Sequence, residues 1–190
     1  MHNQDTIHSD TIQFYRYTGK VHAEAGRNDA EITLSWWRPS LLSWRPPEVP
    51  WHPFVSWSLF ARLGLFKNNA YSVVSLKVKG KIVHRSCVLP AFYRFPFMAS
   101  CDIQIAATWT DPEFRGRGLA RNCANAIIRM HCPNRSAIWY IVSSDNLASI
   151  KVAESCGFTL VGQGRRTKPL AISALGRFVV DKWQGGTLVF

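Results

Sequence analysis

Negative charge is scarce in this chain. Its 190 residues include 12 Asp and Glu against 23 Lys and Arg, a formal net charge of +11. No carboxylate at all occurs between Glu48 and Asp102. Such a balance points to anionic partners, and nucleic acid, a phosphorylated cofactor, an acidic substrate and a membrane surface all fit it. Long apolar runs are missing too: each is broken by Pro, Arg or Lys, so no transmembrane helix is expected. The polar opening MHNQDTIHSDTIQ shows no signal-peptide pattern. Cysteine is present without organisation. Cys87, Cys101, Cys123, Cys132 and Cys156 form no CxxC pair, which argues against a disulfide framework and fits reduced thiols in a cytoplasmic protein. His131-Cys132 has no second pair to complete it, so no metal site is expected.

Apolar and aromatic side chains are plentiful, at 47% and 13% of the chain. They suffice for one domain over residues 1–190 with a sizeable core. Residues 1–28 are weakly patterned, with Ile12, Phe14 and Tyr15 suggesting a short strand and residues 26–29 a turn. Residues 31–37 alternate and predict a better one. Five prolines between 38 and 53 predict a structured loop or a broken helix. Helical spacing then runs over 54–66, followed by a β-hairpin with strands at 71–78 and 82–89 around Lys79-Gly80-Lys81. An aromatic loop at 90–100 leads to a strand that begins at Asp102. Beyond it the pattern predicts helix 117–131, strand 137–143, helix 146–156, strand 158–161, a basic segment GRRTKP at 164–169, and a last strand at 177–183. This order is that of a mixed α+β (α/β) domain rather than a doubly wound sheet. Leu119, Cys123, Ile127 and Met130 place one apolar face on helix 117–131.

The stretch DIQIAATWTDPEFRGRGLA, residues 102–120, carries the first chemistry. A strand runs through a turn into a loop with Gly116 and Gly118, and a helix follows directly. Loop amides at a helix N-terminus, flanked by Arg115, Arg117 and Arg121, form an anion site. The stretch lacks the Gly-Lys-Ser/Thr ending of a P-loop and does not match GxGxxG. A second motif, DNLASIKVAESCGF at 145–158, follows about 30 residues later.

Together, R-x-x-G-x-A at 115–120 and the Asn146 motif ending in Gly157-Phe158 resemble the GNAT superfamily of acyl-CoA N-acyltransferases. The resemblance covers about residues 70–162. It implies a mostly antiparallel central sheet with splayed central strands, flanked by helices. It also implies acetyl-CoA as cofactor, with its pyrophosphate on the loop of Arg115, Gly116, Arg117, Gly118, Leu119 and Ala120. The pantetheine arm would lie along Thr108, Trp109 and Thr110, near Asn146 and Ser149. Strand amides near Thr108–Thr110 would stabilise the oxyanion. The activity implied is direct acetyl transfer to a primary amine, on a small molecule such as an amino sugar or on a protein.

One departure stands out. Many family members carry a tyrosine seven residues after the motif's asparagine, as the acid for the leaving thiolate; here that position is Ala153. The Asn146-x-x-Ser149 form resembles a branch in which the serine serves instead. An amine acceptor must be deprotonated, and the candidate bases are Asp102, His84 and, through the proline-rich loop, Glu48. Asp102 is expected to share an alternating face with Gln104, Ala106 and Thr108. Trp36, Trp37, Trp44, Trp51, Trp57, Phe92, Tyr93, Phe95 and Phe97 suit either an acceptor site or plain packing. Arg165, Arg166 and Lys168 suit an acidic substrate, the cofactor's outer phosphate or a solvated turn. Three other readings stay open: transfer of another acyl group or to oxygen, a non-catalytic acyl-CoA binder, and a basic nucleic-acid-binding module, against which stands the lack of a recognisable motif.

Overall fold

Alternating β-branched and aromatic residues build eight strands: β1 (Ile12–Tyr17), β2 (Ile32–Trp37), β3 (Ser72–Val78), β4 (Lys81–Pro90), β5 (Ile103–Thr110), β6 (Ile138–Ser143), β7 (Phe158–Arg166) and β8 (Phe178–Trp183). The computed structural model describes residues 11–19, 32–40, 42–46, 51–132, 137–167, 169 and 176–184. The strands form one sheet in the order β2-β3-β4-β5-β6-β1-β7-β8. Every neighbouring pair is antiparallel except β5 with β6, which run parallel. Three helices accompany them: α1 (Trp51–Arg62), α2 (Leu119–His131) and α3 (Leu147–Ser155). None of the described helices is long and apolar enough to cross a membrane.

The sheet separates two cores. On one face, α2 and α3 pack over Val74, Leu76, Val88, Ile103, Ile105, Tyr140 and Phe158. Helix α2 buries Leu119, Cys123, Ala124, Ile127 and Ile128 there, and each large aliphatic side chain contributes about 1.5–3 kcal/mol. Met130, expected on that face, is exposed instead, because the buried stripe runs through Ala124 and Ile128. The other face is aromatic. Phe14, Phe54, Phe66, Tyr71, Phe92, Phe95, Phe97 and Trp139 meet there beneath α1 and the loop that follows β4. Most rings of that loop are thus packing residues: Phe92, Phe95 and Phe97 are buried, while Tyr93 stays exposed.

Several elements depart from the sequence expectation. The weakly patterned N-terminal region supplies an interior strand, because β1 sits between β6 and β7 and pairs with both. Phe14 and Tyr15 are buried on its opposite faces. Helix α1 begins at Trp51, three residues early; Pro53 falls in its first turn, where a missing N–H breaks no helical bond. Strand β7 runs on to Arg166 and takes up the first half of the basic segment, where Arg165 pairs with Asp181 of β8. Glu48, Lys168, the side chain of Trp51 and the turn expected at 26–29 lie outside the described residues.

Asp102 requires a correction. It is buried at the start of β5, and its carboxylate is a junction. One oxygen accepts from Ala99 N at 3.0 Å and Trp139 Nε1 at 2.9 Å, the other from Ala137 N at 3.0 Å. These bonds tie the aromatic loop to the start of β6. The expected common face with Thr108 fails as well, because β5 is bulged. Ser86 of β4 faces two residues of β5, Ala107 and Thr108, between the pairs Arg85 with Trp109 and Cys87 with Ala106. One inserted residue reverses every side chain beyond it. Gln104 and Ala106 therefore point with Trp109 to the aromatic face, while Thr108 and Thr110 turn to the α2 face. Asp102→Ala should lower the urea-unfolding free energy by about 3 kcal/mol, since the buried Trp139 Nε1 and two part-buried backbone N–H groups lose their carboxylate acceptor; a loss below about 1 kcal/mol would refute the junction role.

Candidate active site

Strands β5 and β6 pair only at Ile103 with Ile138, Gln104 with Trp139 and Ile105 with Tyr140. Both continue, β5 to Thr110 and β6 to Ser143, so the sheet opens between them. The bulge lies at the start of this opening: Ala107 has φ +48°, a left-handed conformation that costs a non-glycine residue about 1 kcal/mol or more.

On the α2 face the opening becomes a cleft of about 590 Å³. One wall is Thr108, Trp109 and Thr110; the far end is the loop of Arg115, Gly116 and Gly118 with Leu119 and Ala120 of α2; Asn146 and Ser149 close the other side. The loop is shaped by a single 3₁₀ turn at Pro112–Phe114, which Asp111 caps by accepting from Glu113 N at 3.1 Å. Lys81 reaches Asp111 at 2.9 Å and, with that bond from Glu113, holds its carboxyl below the usual range. Gly116 and Gly118 both have positive φ, +76° and +74°. A Cβ at either would meet no protein atom within 4 Å, so what the fold demands of them is the left-handed backbone. Gly118 caps α2 with no side-chain bond, leaving the amides of Leu119, Ala120 and Arg121 without an intrahelical acceptor.

Arg117 is the one predicted cofactor-site residue outside this lining. Its guanidinium lies 4.8 Å from the Phe114 ring centre and donates to Glu113 O at 3.3 Å. Asn146 caps α3 by accepting from Ser149 N at 3.1 Å. Six lining residues were not anticipated: Phe114, Tyr140, Ala148, Lys151, Val152 and Ser155. The strand pattern of 137–143 carried Tyr140, but nothing local marked it as facing a cleft.

Behind the Thr108–Thr110 wall lies a buried chain of hydroxyls around His84. His84 Nδ1 is 2.8 Å from Thr110 Oγ1, and Nε2 is 3.1 Å from Ser86 Oγ. Ser86 Oγ is in turn 3.1 Å from Thr108 Oγ1. Tyr140 lines the cleft together with Thr108 and Ser149, whose hydroxyls partly offset the effect of burial on its phenol. His84 is 0% exposed. Burial, helped by Arg85 next to it, lowers its pKa to about 4, so the imidazole is neutral at physiological pH and offers one donor and one acceptor. Burial pushes the Tyr140 phenol up. Asp102 stands at the other end of β5, outside both the cleft and this chain.

On the opposite face a smaller pocket of about 190 Å³ adjoins the bulge, lined by Trp57, Phe92, Arg94, Phe95, Gln104, Ala106, Ala107, Arg166 and Phe178 among others. Its Ala107 is next in sequence to Thr108 of the cleft, so the two depressions approach each other across one strand. Arg166 therefore belongs to the aromatic face and not to the glycine-loop end of the cleft. Arg85 stacks 4.7 Å from the Trp109 ring centre close by. Trp44, exposed at 45%, lies under Arg62 at 4.0 Å.

A divergent strand pair opening onto a glycine loop and a helix N-terminus defines an acyltransferase-type site. The acetyltransferase (GNAT) family profile matches residues 34–158, and the chain belongs to that family. Solved structures share the fold. One from the GNAT family of Novosphingobium aromaticivorans superposes with a TM-score of 0.53 at 14% identity, covering 80% of this chain and 61% of that one. A GCN5-related N-acetyltransferase from Sphaerobacter thermophilus gives 0.55 at 14% identity, covering 80% and 49%. The chain thus spans about half to three-fifths of these two. No curated protein matches it.

The buried imidazole makes stability pH-dependent. Its folded pKa of about 4 lies below the ordinary 6.5, so between these values the unfolded chain binds the extra proton. The contribution is complete above pH 6.5 and is lost as pH falls towards 4. His131, also lowered by burial, acts with the same sign. Urea unfolding at pH 4.5 should show His84 costing about 2–3 kcal/mol relative to pH 7.5. His84→Gln should flatten that dependence, and an unchanged slope would refute it.

Proposed function

We propose that this chain is an acetyl-CoA-dependent N-acetyltransferase that transfers the acetyl group directly to a primary amine. The observation that carries this is the continuity of one cleft from the β5–β6 divergence to the glycine loop and the start of α2. Beyond Ile105 the edge of β5 that faces β6 has no strand partner, leaving backbone donors and acceptors for the amide-bearing pantetheine arm. The pyrophosphate would sit on the amides of Leu119, Ala120 and Arg121, favoured by the helix dipole and by Arg115. The thioester would then lie at the bulge, with backbone N–H groups near Thr108–Thr110 for the oxyanion.

The acceptor would enter from the aromatic pocket, where Ala107 brings it to the same point. Trp57, Phe92 and Phe95 offer apolar cover there, and the Gln104 side-chain nitrogen is buried without a protein partner. Of the candidate bases, Asp102 is committed to structural bonds, and His84 reaches the cleft only through its hydroxyl neighbours. A second reading, a binder of acyl-CoA without turnover, is favoured by Ala153, which is 0% exposed and brings no acid to the cleft.

Saturating acetyl-CoA should raise Tm by roughly 5–10 °C, since about 100 Kd of ligand adds about 2.7 kcal/mol and each kcal/mol moves a chain of this size by about 2–4 °C. Gly118→Val, which forces a β-branched residue to φ +74°, should abolish that shift. Free thiol should then appear with at least one member of a panel of amino sugars, amino acids and peptide N-termini. Stabilisation without thiol release would select the binding reading, and steeply salt-dependent retention on DNA without stabilisation would select a nucleic-acid module.

A further inference from the structure

Ala153 puts no acid at the α3 position that would face the thiolate, and Glu154 beside it accepts from Tyr15, yet the cleft contains a phenol from another element. Tyr140 is the last residue of β6 that pairs with β5 before the strands part, and it lines the cleft beside Ser149 and Thr108. From Thr108, which shares the cleft lining with the Tyr140 ring and Ser149, a hydrogen-bonded series runs through Ser86 and His84 to Thr110, and Ser149, Tyr140 and Thr108 extend it across the cleft. Both cleft walls contribute to the series, and both its ends, Ser149 and Thr110, line the cleft. Every member can donate and accept, because the imidazole is neutral and the others are hydroxyls. The series is also insulated from bulk water: His84 is 0% and Ser86 1% exposed, and Tyr140 4%. Beneath it Cys123 of α2 is itself fully buried. A buried polar chain of this length is costly to maintain unless each member is paired, and here it begins and ends at the site of the proposed reaction.

We infer that Tyr140 is the catalytic proton donor to the departing thiolate, taking from strand β6 the part that α3 does not supply, and that Thr108, Ser86 and His84 position and reprotonate it. The inference rests on the acetyl-transfer reading above. In the step, the amine nitrogen bonds to the thioester carbonyl carbon, and the C–S bond then breaks with its electron pair on sulfur. The Tyr140 oxygen gives its proton to sulfur. The phenolate recovers a proton from Thr108, which draws on Ser86, His84 and Thr110. The proton shed by the nitrogen enters cleft water and returns at Thr110, so sulfur gains what nitrogen loses. Burial, which keeps the phenol protonated, suits a donor of this kind.

The test has a kinetic and a binding arm. Tyr140→Phe keeps the ring and removes the hydroxyl, and should lower kcat about 100-fold with little change in KM for acetyl-CoA. Thr108→Val, which cuts the series behind an intact phenol, should lower kcat about 10-fold and reduce the solvent isotope effect on kcat. In calorimetry the wild type should bind CoA several-fold more tightly than desulfo-CoA, and Tyr140→Phe should bind the two alike. A kcat within about threefold of wild type, or a CoA to desulfo-CoA ratio that Tyr140→Phe leaves unchanged, overturns the assignment. If no amine in the panel is accepted, the binding arm decides it alone. If wild type binds neither CoA nor desulfo-CoA, the cofactor reading has failed and this assignment falls with it; binding to wild type with no effect of the variant fails this assignment only.

Discussion

The parting of β5 from β6 is the constraint on which the site depends. Three residue pairs hold the strands together, from Ile103 with Ile138 to Ile105 with Tyr140. Beyond them a sheet interior has backbone edges with no neighbour, which a fold tolerates only where another group or solvent can satisfy them. Two devices hold the opening. At its closed end the Asp102 carboxylate gathers three N–H donors and fixes β6 against the loop before β5. At its open end the Ala107 bulge turns β5 away and re-aims its side chains. The acidic residue thus serves the site by setting where the strands join, about the length of a strand from the place where chemistry is proposed.

The bulge also explains how one strand serves two depressions of different character. Before it, Gln104 and Ala106 face the aromatic layer; after it, Thr108 and Thr110 face α2 and the hydroxyl series. A regular strand would send one alternating set to each side along its whole length, and the hydroxyls could not gather on the helix face beside His84. The charge distribution follows the same division. The few acids of the described core have structural posts: Asp102 at the strand junction, Asp111 at the 3₁₀ turn with Lys81, and Asp181 on Arg165. The glycine-loop end keeps Arg115 and Arg121 in the cleft lining, a positive balance that would favour an anion.

The family, the order of core elements and the glycine loop at the start of α2 were legible in the chain because each is local. Glycine at 116 and 118 marks left-handed backbone, and the alternation of 103–106 and the four-residue spacing of Leu119, Cys123 and Ile127 report one strand and one helix face. Ten of the eleven residues assigned to the cofactor loop and its flanks line one cleft; Arg117 does not, because Phe114 and the Glu113 carbonyl capture its guanidinium. The acid–base assignment was not legible in the same way. Asp102 looked suitable because carboxylates are rare, but rarity says nothing about which N–H groups surround a carboxylate. Tyr140 looked like any strand aromatic, since only the neighbours across the cleft make its phenol a partner of Ser149 and Thr108.

The sequence by itself determined a mixed α+β domain with a glycine loop leading into a helix, since those features follow from residue type and spacing within short windows. Tertiary structure alone decided that β1 belongs between β6 and β7, that Ala107 reverses the faces of β5, and which hydroxyls meet around His84. These depend on contacts between residues far apart in the chain, and a one-residue bulge leaves no mark in composition or period while inverting every side chain beyond it.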